Sequence, residues 1–210
     1  MPSTTEIPTR DRIPTRDRIL YASAELFRRQ GYAGTGLKQI ATEARAPFGS
    51  VYHHFPGGKE QLADDVLRTG GRFFLALYEA IADSAPDLPT AVADFFAGAA
   101  QTLEATDFAD ACPIATVAGE IASTHEVLRQ ATADVFESWL GAVERDVVAA
   151  GVSRDRARPL ALSVLAVLEG AFLLSRSLRT TEPMTACGQA AVALVDAALT
   201  QEPTTPEATA

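Results

Sequence analysis

Hydrophobic residues recur every three or four positions near the start of the chain, which is the spacing of one helix face. The first such run comprises Ile19, Ala22, Leu26 and Phe27. It stops at Gly31, and glycine commonly ends a helix because it tolerates left-handed backbone. We therefore predict a first helix, with the hydroxyl of Thr15 capping its first turn.

Two further short helices are predicted between Gly36 and Leu62. The apolar face of the first comprises Leu37, Ile40, Ala41 and Ala44, and Thr35 is placed to cap it. Pro47 breaks this pattern and tolerates the first turn of the helix that follows, so the second helix begins near Pro47 or Phe48. Helical spacing places three of its residues inward, namely Phe48, Val51 and Phe55. It places three others outward, namely Gly49, Ser50 and His53.

The outward face of this second helix is suited to DNA, because a helix enters the major groove when its groove-facing residues are short or able to hydrogen-bond. Gly49 permits close approach. Tyr52 and His54 flank the face and can donate to phosphates, and Lys59 supplies a charge at the start of the next helix. The alternative is an ordinary helical hairpin in which the same side chains are half-buried packing.

These residues resemble the DNA-binding domain of the TetR family of repressors. The resemblance spans roughly residues 15–66 and is carried by Thr35, Ile40, Ala41, Gly49, the Val-Tyr-His-His-Phe run at 51–55, Lys59 and Glu60. With the later Ala-Cys-Pro-Ile run at 111–114, the chain is similar to the LmrA/YxaF-like branch. His53 stands where many members have a second tyrosine, so the operator sequence does not carry over.

The resemblance implies an all-α, homodimeric, ligand-responsive repressor of a double-stranded DNA operator. Its N-terminal three-helix helix-turn-helix domain would occupy residues 15–58, and its C-terminal helical ligand-binding and dimerisation domain residues 59–200. The candidate DNA-binding residues are Thr35, Lys38, Gly49, Ser50, Tyr52, His53, His54 and Lys59.

Charge is divided unevenly along the chain. Residues 1–60 hold nine Lys and Arg against six Asp and Glu, a net +3, whereas residues 61–210 hold nine against 21, a net −12. Only the first part should attract phosphate, and repulsion of the acidic remainder helps to orient docking.

Both ends are expected to be disordered, over residues 1–14 and 201–210. The first contains a duplicated Ile-Pro-Thr-Arg-Asp-Arg segment at 7–12 and 13–18. Arg10 and Arg12 could reach a minor groove, but the prolines and the offsetting aspartates favour a solvated arm.

Several classes of protein are disfavoured. Cys112 and Cys187 lack metal-ligand spacing, which indicates no metal site and a reducing cytoplasm. No cofactor motif, nucleophile motif or phosphate-binding loop indicates an enzyme. The apolar stretch from Leu160 to Leu174 is interrupted by Ser163 and Glu169, so we expect no membrane span.

The rest of the chain predicts long helices over about 59–84, 89–106, 113–124, 126–150, 154–179 and 184–200. The last two carry wide apolar stripes, part of which must be intramolecular core. The resemblance implies that they also pair across a two-fold axis. The candidate dimer residues are Leu160, Val164, Val167, Ala171, Leu174, Ala191, Leu194, Val195 and Ala198.

A small hydrophobic effector of unknown identity is expected among the middle helices, although most aromatic residues at helical spacing are plain core. Trp139 needs a partner for its N–H, and Glu169 must pair, protonate or find water. Cys112 opens a helix beside the cavity or fills the core. The candidate ligand-binding residues are Phe74, Tyr78, Phe96, Leu103, Ile114, Val117, Phe136, Trp139, Leu165, Glu169 and Phe172.

The helix starting near Lys59 is the expected link to the DNA-binding domain, through Phe73, Phe74 and Leu77. The competing hypothesis is a small-molecule-binding or protein-interaction module with the same fold that does not bind DNA.

Overall fold

The computed structural model describes residues 13–121 and 124–201, and every regular element within them is an α-helix. The predicted all-α class is confirmed, and the six long helices begin and end within three residues of their predicted bounds. Arg10, Arg12 and the tail from residue 202 lie outside the described residues. The helices are α1 Thr15–Gln30, α2 Leu37–Glu43, α3 Phe48–His54, α4 Gly58–Ser84, α5 Leu88–Ala105, α6 Pro113–Ile121, α7 Glu126–Ala149, α8 Arg154–Leu178 and α9 Glu182–Thr200.

The helix ends follow the predicted stop but not the predicted caps. Gly31 ends α1 with a φ of 76° and donates its N–H to the Phe27 carbonyl. Thr15 is the first residue of α1 rather than its cap, because Pro14 holds that position. Gly36 precedes α2, and the Thr35 hydroxyl instead donates to the Gly31 carbonyl at 2.7 Å. Both predicted threonine caps are therefore wrong.

The chain divides into two compact units. The first contains the described residues up to Gly70 together with residues 113–133. The second contains residues 71–112 and residues from 134 onward. Besides α1 to α3, the first unit thus holds the start of α4, all of α6 and the start of α7.

The core of the first unit consists of large side chains that α1 to α4 contribute at the spacing of one helix face. They are fully buried and include Ile19, Phe27, Ile40, Val51, Phe55 and Leu62. Helix α6 joins this unit through Glu120, whose Oε2 accepts a hydrogen bond from the Ala33 N–H at 2.8 Å. The loop before α2 is therefore held by an acidic side chain of α6.

The core of the second unit lies among α5, α8 and α9. Its buried members include Phe96, Leu103, Ala171, Met184 and Val195. Helices α5 and α9 approach closely at Gly188, where a Cβ atom would lie 3.0 Å from the Phe96 Cβ. A residue with a side chain at this position would crowd Phe96, which would have to shift to make room.

Candidate nucleic-acid interface and effector site

Helix α3 is held by one buried side chain within it and by another at the residue that follows it, and it exposes much of the remaining surface. Val51 and Phe55 are fully buried, whereas Gly49, Tyr52 and His53 are exposed. No heavy atom lies within 4 Å of the place that a Gly49 Cβ would occupy. The predicted outward face is present, and a ligand surface can approach its backbone at Gly49.

Phe48 is the exception to the predicted division of faces. Its side chain is 42% exposed, and its ring lies edge-on to Tyr52 with 5.7 Å between centroids. At 100° per residue Phe48 lies within about 60° of the buried Val51 and Phe55 around the helix, yet it is the first residue of α3 and its side chain stays partly exposed, so the inward placement was wrong. An exposed aromatic pair therefore borders the outward face.

The other candidate DNA-binding residues differ in exposure. Lys38 is exposed, Ser50 and His54 are half-buried, and the rings of His53 and His54 lie 4.9 Å apart. Thr35 is 1% exposed and turns its hydroxyl inward. Thr35 thus supports the loop before α2 and has no surface to offer a phosphate.

The Lys59 ammonium group contacts an aromatic ring of the first unit. Its Nζ lies 4.2 Å from the centroid of the Tyr32 ring, a cation–π distance. Burial lowers the pKa of Lys59, and the nearby carboxylate of Glu120 partly opposes that change. Lys59 therefore ties the start of α4 to the loop that follows α1.

Arg45 is a candidate that the sequence prediction missed. It is exposed in the turn between α2 and α3 and adopts a φ of 49°. A left-handed φ is uncommon for a residue with a side chain, and cations near the recognition helix bind phosphates. An arginine within the turn of a helix-turn-helix was the available sequence signal.

Trp139 is the centre of an aromatic cluster in the second unit. Its indole N–H donates to the Gly71 carbonyl at 2.9 Å, which confirms the predicted need for a partner. The rings of Phe74 and Phe136 lie 6.2 Å and 5.7 Å from it in edge-to-face geometry. A Cβ at Gly71 would come within 2.6 Å of Val135, so α4 and α7 are in close contact here.

Glu169 is a mostly buried carboxyl group in the middle of α8. Among the described residues its Oε1 has no hydrogen-bond partner. Burial raises the pKa of Glu169 to about 7, and a hydrogen bond from Cys112 opposes that rise only in part. Cys112 itself is buried immediately before α6. The Glu169 carboxyl group is therefore a mostly buried hydrogen-bond acceptor in the second unit, and Cys112 satisfies it only in part.

The remaining candidate ligand-binding residues do not form one group. Phe96 and Leu103 are buried core, with Phe172 packed against them. Leu165 is half-buried on α8. The Tyr78 hydroxyl donates a hydrogen bond to Asp146 at 2.7 Å, and burial raises the pKa of Tyr78.

Ile114 and Val117 are buried in α6, which belongs to the first unit. They therefore lie in a different compact unit from the Trp139 cluster and Glu169.

Most of the predicted dimer residues belong to the core of the chain's own second unit. Only Leu174 and Leu194 are exposed, and Val167 is half-buried. The buried members are Leu160, Val164, Ala171, Ala191, Val195 and Ala198. They pack within the chain because α8 and α9 cover α5. This agrees with the expectation that part of both apolar stripes is intramolecular core.

The residues of the predicted link through α4 differ in exposure. Phe74 contacts Trp139, whereas Phe73 and Leu77 are exposed, at 64% and 41%. The Phe73 ring lies edge-on to that of Phe74 with 5.4 Å between centroids. The link itself stays a prediction.

In the described part of the chain, α8 alone is long and apolar enough to cross a membrane by length and composition. The helix has 25 residues and extends beyond the apolar stretch from Leu160 to Leu174 at both ends. One such helix is weak evidence, since the core helix of a soluble protein passes the same test. No group of three or more potential metal ligands occurs in residues 13–121 and 124–201.

The chain is similar to known families, proteins and structures. Residues 19–66 match "Bacterial regulatory proteins, tetR family", and residues 89–190 match "Transcriptional regulator LmrA/YxaF-like, C-terminal domain". The HTH-type transcriptional regulator LmrA of Bacillus subtilis (strain 168) is 32% identical over 166 residues, covering 79% of this chain and 88% of LmrA.

Two further similarities extend over most of the chain. The HTH-type transcriptional repressor DhaR of Mycobacterium sp. (strain GP1) is 27% identical over 169 residues, covering 76% of this chain and 81% of DhaR. The crystal structure of regulatory protein TetR from Rhodobacter sphaeroides aligns with a TM-score of 0.77 and 22% identity, covering 86% of this chain and 98% of that one.

The exposed face of α3 and these matches define a helix-turn-helix transcriptional regulator. The chain belongs to the TetR family, within its LmrA/YxaF-like branch. Regulators of this family bind DNA operators and act as dimers. The relatives are named as transcriptional regulators, and the matches indicate no enzyme family.

Proposed function

We propose that the protein is a homodimeric repressor that occupies a palindromic operator and leaves it when a small hydrophobic effector binds. The observation that carries the proposal is the exposure of α3: buried Val51 and Phe55 fix its orientation, and the backbone at Gly49 stays open. A rigidly seated helix with an open face is the element that enters a major groove. The name of DhaR as a repressor supports the direction of regulation.

A dimer is required because a two-fold pair of recognition helices contacts successive major grooves about 34–36 Å apart. We assign the dimer surface to the outer faces of α8 and α9, where large apolar side chains remain uncovered. The assigned residues are Leu162, Leu173, Leu174, Leu178 and Leu194. Covering them in a partner removes an exposed apolar surface that a monomer would leave in water.

Lys38→Ala tests the DNA contact. Lys38 is exposed at the start of α2, so its loss should weaken binding to all sequences alike and reduce the slope of log affinity against log salt by about 1. Fluorescence anisotropy with fragments selected from the source genome, between about 50 and 200 mM salt, gives both quantities.

The unchanged protein provides the reference for this measurement. If it shows no salt-sensitive affinity for any selected fragment, the alternative of a binding module that does not contact DNA is correct. If Lys38→Ala keeps the full salt slope, Lys38 is not a phosphate contact.

The effector is assigned to the second unit, around the Trp139 cluster and Glu169. The cluster supplies aromatic surface, and Glu169 supplies one polar anchor for a donor or cationic group on an otherwise hydrophobic molecule. An effector lowers operator affinity only by binding the released conformation more tightly, with a typical coupling of about 1–3 kcal/mol.

This part of the proposal is tested with the same operator complex. Trp139 is the single tryptophan, so its emission reports directly on the assigned region. A hydrophobic compound that changes this emission should release the labelled operator over the same concentration range. Release of the operator with no change in Trp139 emission would mean that the effector binds elsewhere.

A regulator that acts on chromosomal operators in this way is expected to work in the cytoplasm.

A further inference from the structure

We infer that Phe48 is a sequence-specificity residue that contacts thymine C5-methyl groups in the operator. The inference rests on the proposed function, because it names what the exposed α3 surface recognises. The observation behind it is an aromatic side chain, 42% exposed, on the element that contacts DNA. Exposing a phenylalanine is unfavourable in the free protein, and contact with an apolar surface offsets that cost.

The geometry holds the Phe48 ring in place. Its centroid lies 5.7 Å from that of Tyr52 with the ring planes at 84°, a favourable edge-to-face arrangement. Tyr52 follows one helical turn later and is itself 48% exposed. A ring supported in this way loses little conformational freedom when it meets a partner.

The neighbouring residues allow base edges to reach that ring. Gly49 has open space where a side chain would be, so it does not shield Phe48. Val51, fully buried, prevents α3 from turning to cover the ring.

The chemistry of the major groove identifies the contact. Phe48 has no hydrogen-bonding group, and the thymine C5-methyl group is the one apolar feature among the base-edge patterns of the groove. Phe48 therefore distinguishes thymine from the other bases through apolar contact, whereas His53 and Ser50 can form hydrogen bonds.

Replacing thymine by uracil removes only that methyl group and tests the contact. The test uses the tightest-binding selected duplex and replaces one thymine position at a time, first in one half-site and then in both. We expect one position at which the replacement weakens binding. Affinity should fall about fourfold when one methyl group is removed and on the order of tenfold when the equivalent methyl group is removed from both half-sites. Phe48→Ala should bind the thymine and uracil duplexes equally, whereas Phe48→Leu should retain part of the preference.

Tyr21→Ala is the matched control, because it removes an exposed aromatic side chain from α1 of the same unit. It should keep the full preference for thymine. Thermal melting of each variant separates loss of contact from loss of fold. Equal binding of both duplexes by the unchanged protein, or an unchanged preference in folded Phe48→Ala, would overturn the inference. Salt-sensitive DNA binding in the same titrations would still support the proposed function, and its absence would defeat both.

Discussion

Replacing Gly49 by glutamate is expected to abolish operator binding while leaving the melting temperature nearly unchanged. The new side chain has room in the free protein, because no heavy atom lies within 4 Å of the Gly49 Cβ position. Within a helix, glutamate is also favoured over glycine. In the complex the same side chain would occupy the groove-facing surface and place a negative charge near phosphates. We expect affinity to fall by at least about 100-fold, since a steric clash and charge repulsion each cost several kcal/mol.

Gly119→Glu is the matched control for this change. Gly119 is exposed on α6 and also has open space at its Cβ position. Both variants add one negative charge to a helix of the first unit, so a general charge effect would weaken them equally. Anisotropy titration and thermal melting should show loss of binding only for Gly49→Glu. Retained operator affinity in that variant would mean that α3 does not face the groove through Gly49.

Glu169→Gln is expected to raise the stability of the protein most strongly above neutral pH. Burial raises the pKa of Glu169 to about 7, above its ordinary value of 4.5. The folded state therefore favours the protonated carboxyl, and this stabilisation is complete below about pH 4.5 and lost as pH rises through 7. Glutamine keeps the shape and an acceptor for the Cys112 thiol without acquiring the charge.

The expected size follows from the same pKa difference. At pH 8 the buried charge costs the unchanged protein roughly 3 kcal/mol relative to its protonated form. Thermal melting should therefore show Glu169→Gln gaining roughly 5–10 °C at pH 8 compared with its difference at pH 4.5. Glu182→Gln, which removes an exposed carboxyl group at the start of α9, should shift the melting temperature similarly at both pH values. A constant difference for Glu169→Gln would show that the folded protein holds this carboxylate without penalty.

The sequence predicted the helices well because their evidence is local. Apolar spacing and proline positions placed the six long helices within three residues of their bounds, and Gly31 ends α1 as predicted. The outward direction of Gly49 and His53 followed from the same periodicity, which placed Phe48, Val51 and Phe55 inward; the structure buries the last two. The Trp139 N–H needed an acceptor for a chemical reason, and the structure supplies the Gly71 carbonyl.

The predictions that the structure contradicts are the inward placement of Phe48 and the two threonine caps. Phe48 is apolar and shares a helix face with Val51 and Phe55, so periodicity assigned it inward, yet its side chain is 42% exposed. The apolar stripes of α8 and α9 are wide enough both to pack against α5 and to contact a partner subunit. The sequence did not indicate which residues of the stripes pack against α5. Thr35 matched a cap by position, but its hydroxyl is used by the Gly31 carbonyl.

The sequence by itself determined the helical class, the helix-turn-helix segment and the kinship with TetR-family regulators, because these depend on residue spacing along the chain. Only the tertiary structure decided which apolar residues are core and which remain exposed, and that Lys59 lies against Tyr32. It also decided that one Glu169 oxygen has no hydrogen-bond partner within the part of the chain that the structure describes. Burial and partnership depend on residues distant in sequence. Periodicity gives the direction of a side chain around its own helix but not whether protein or solvent lies on that side.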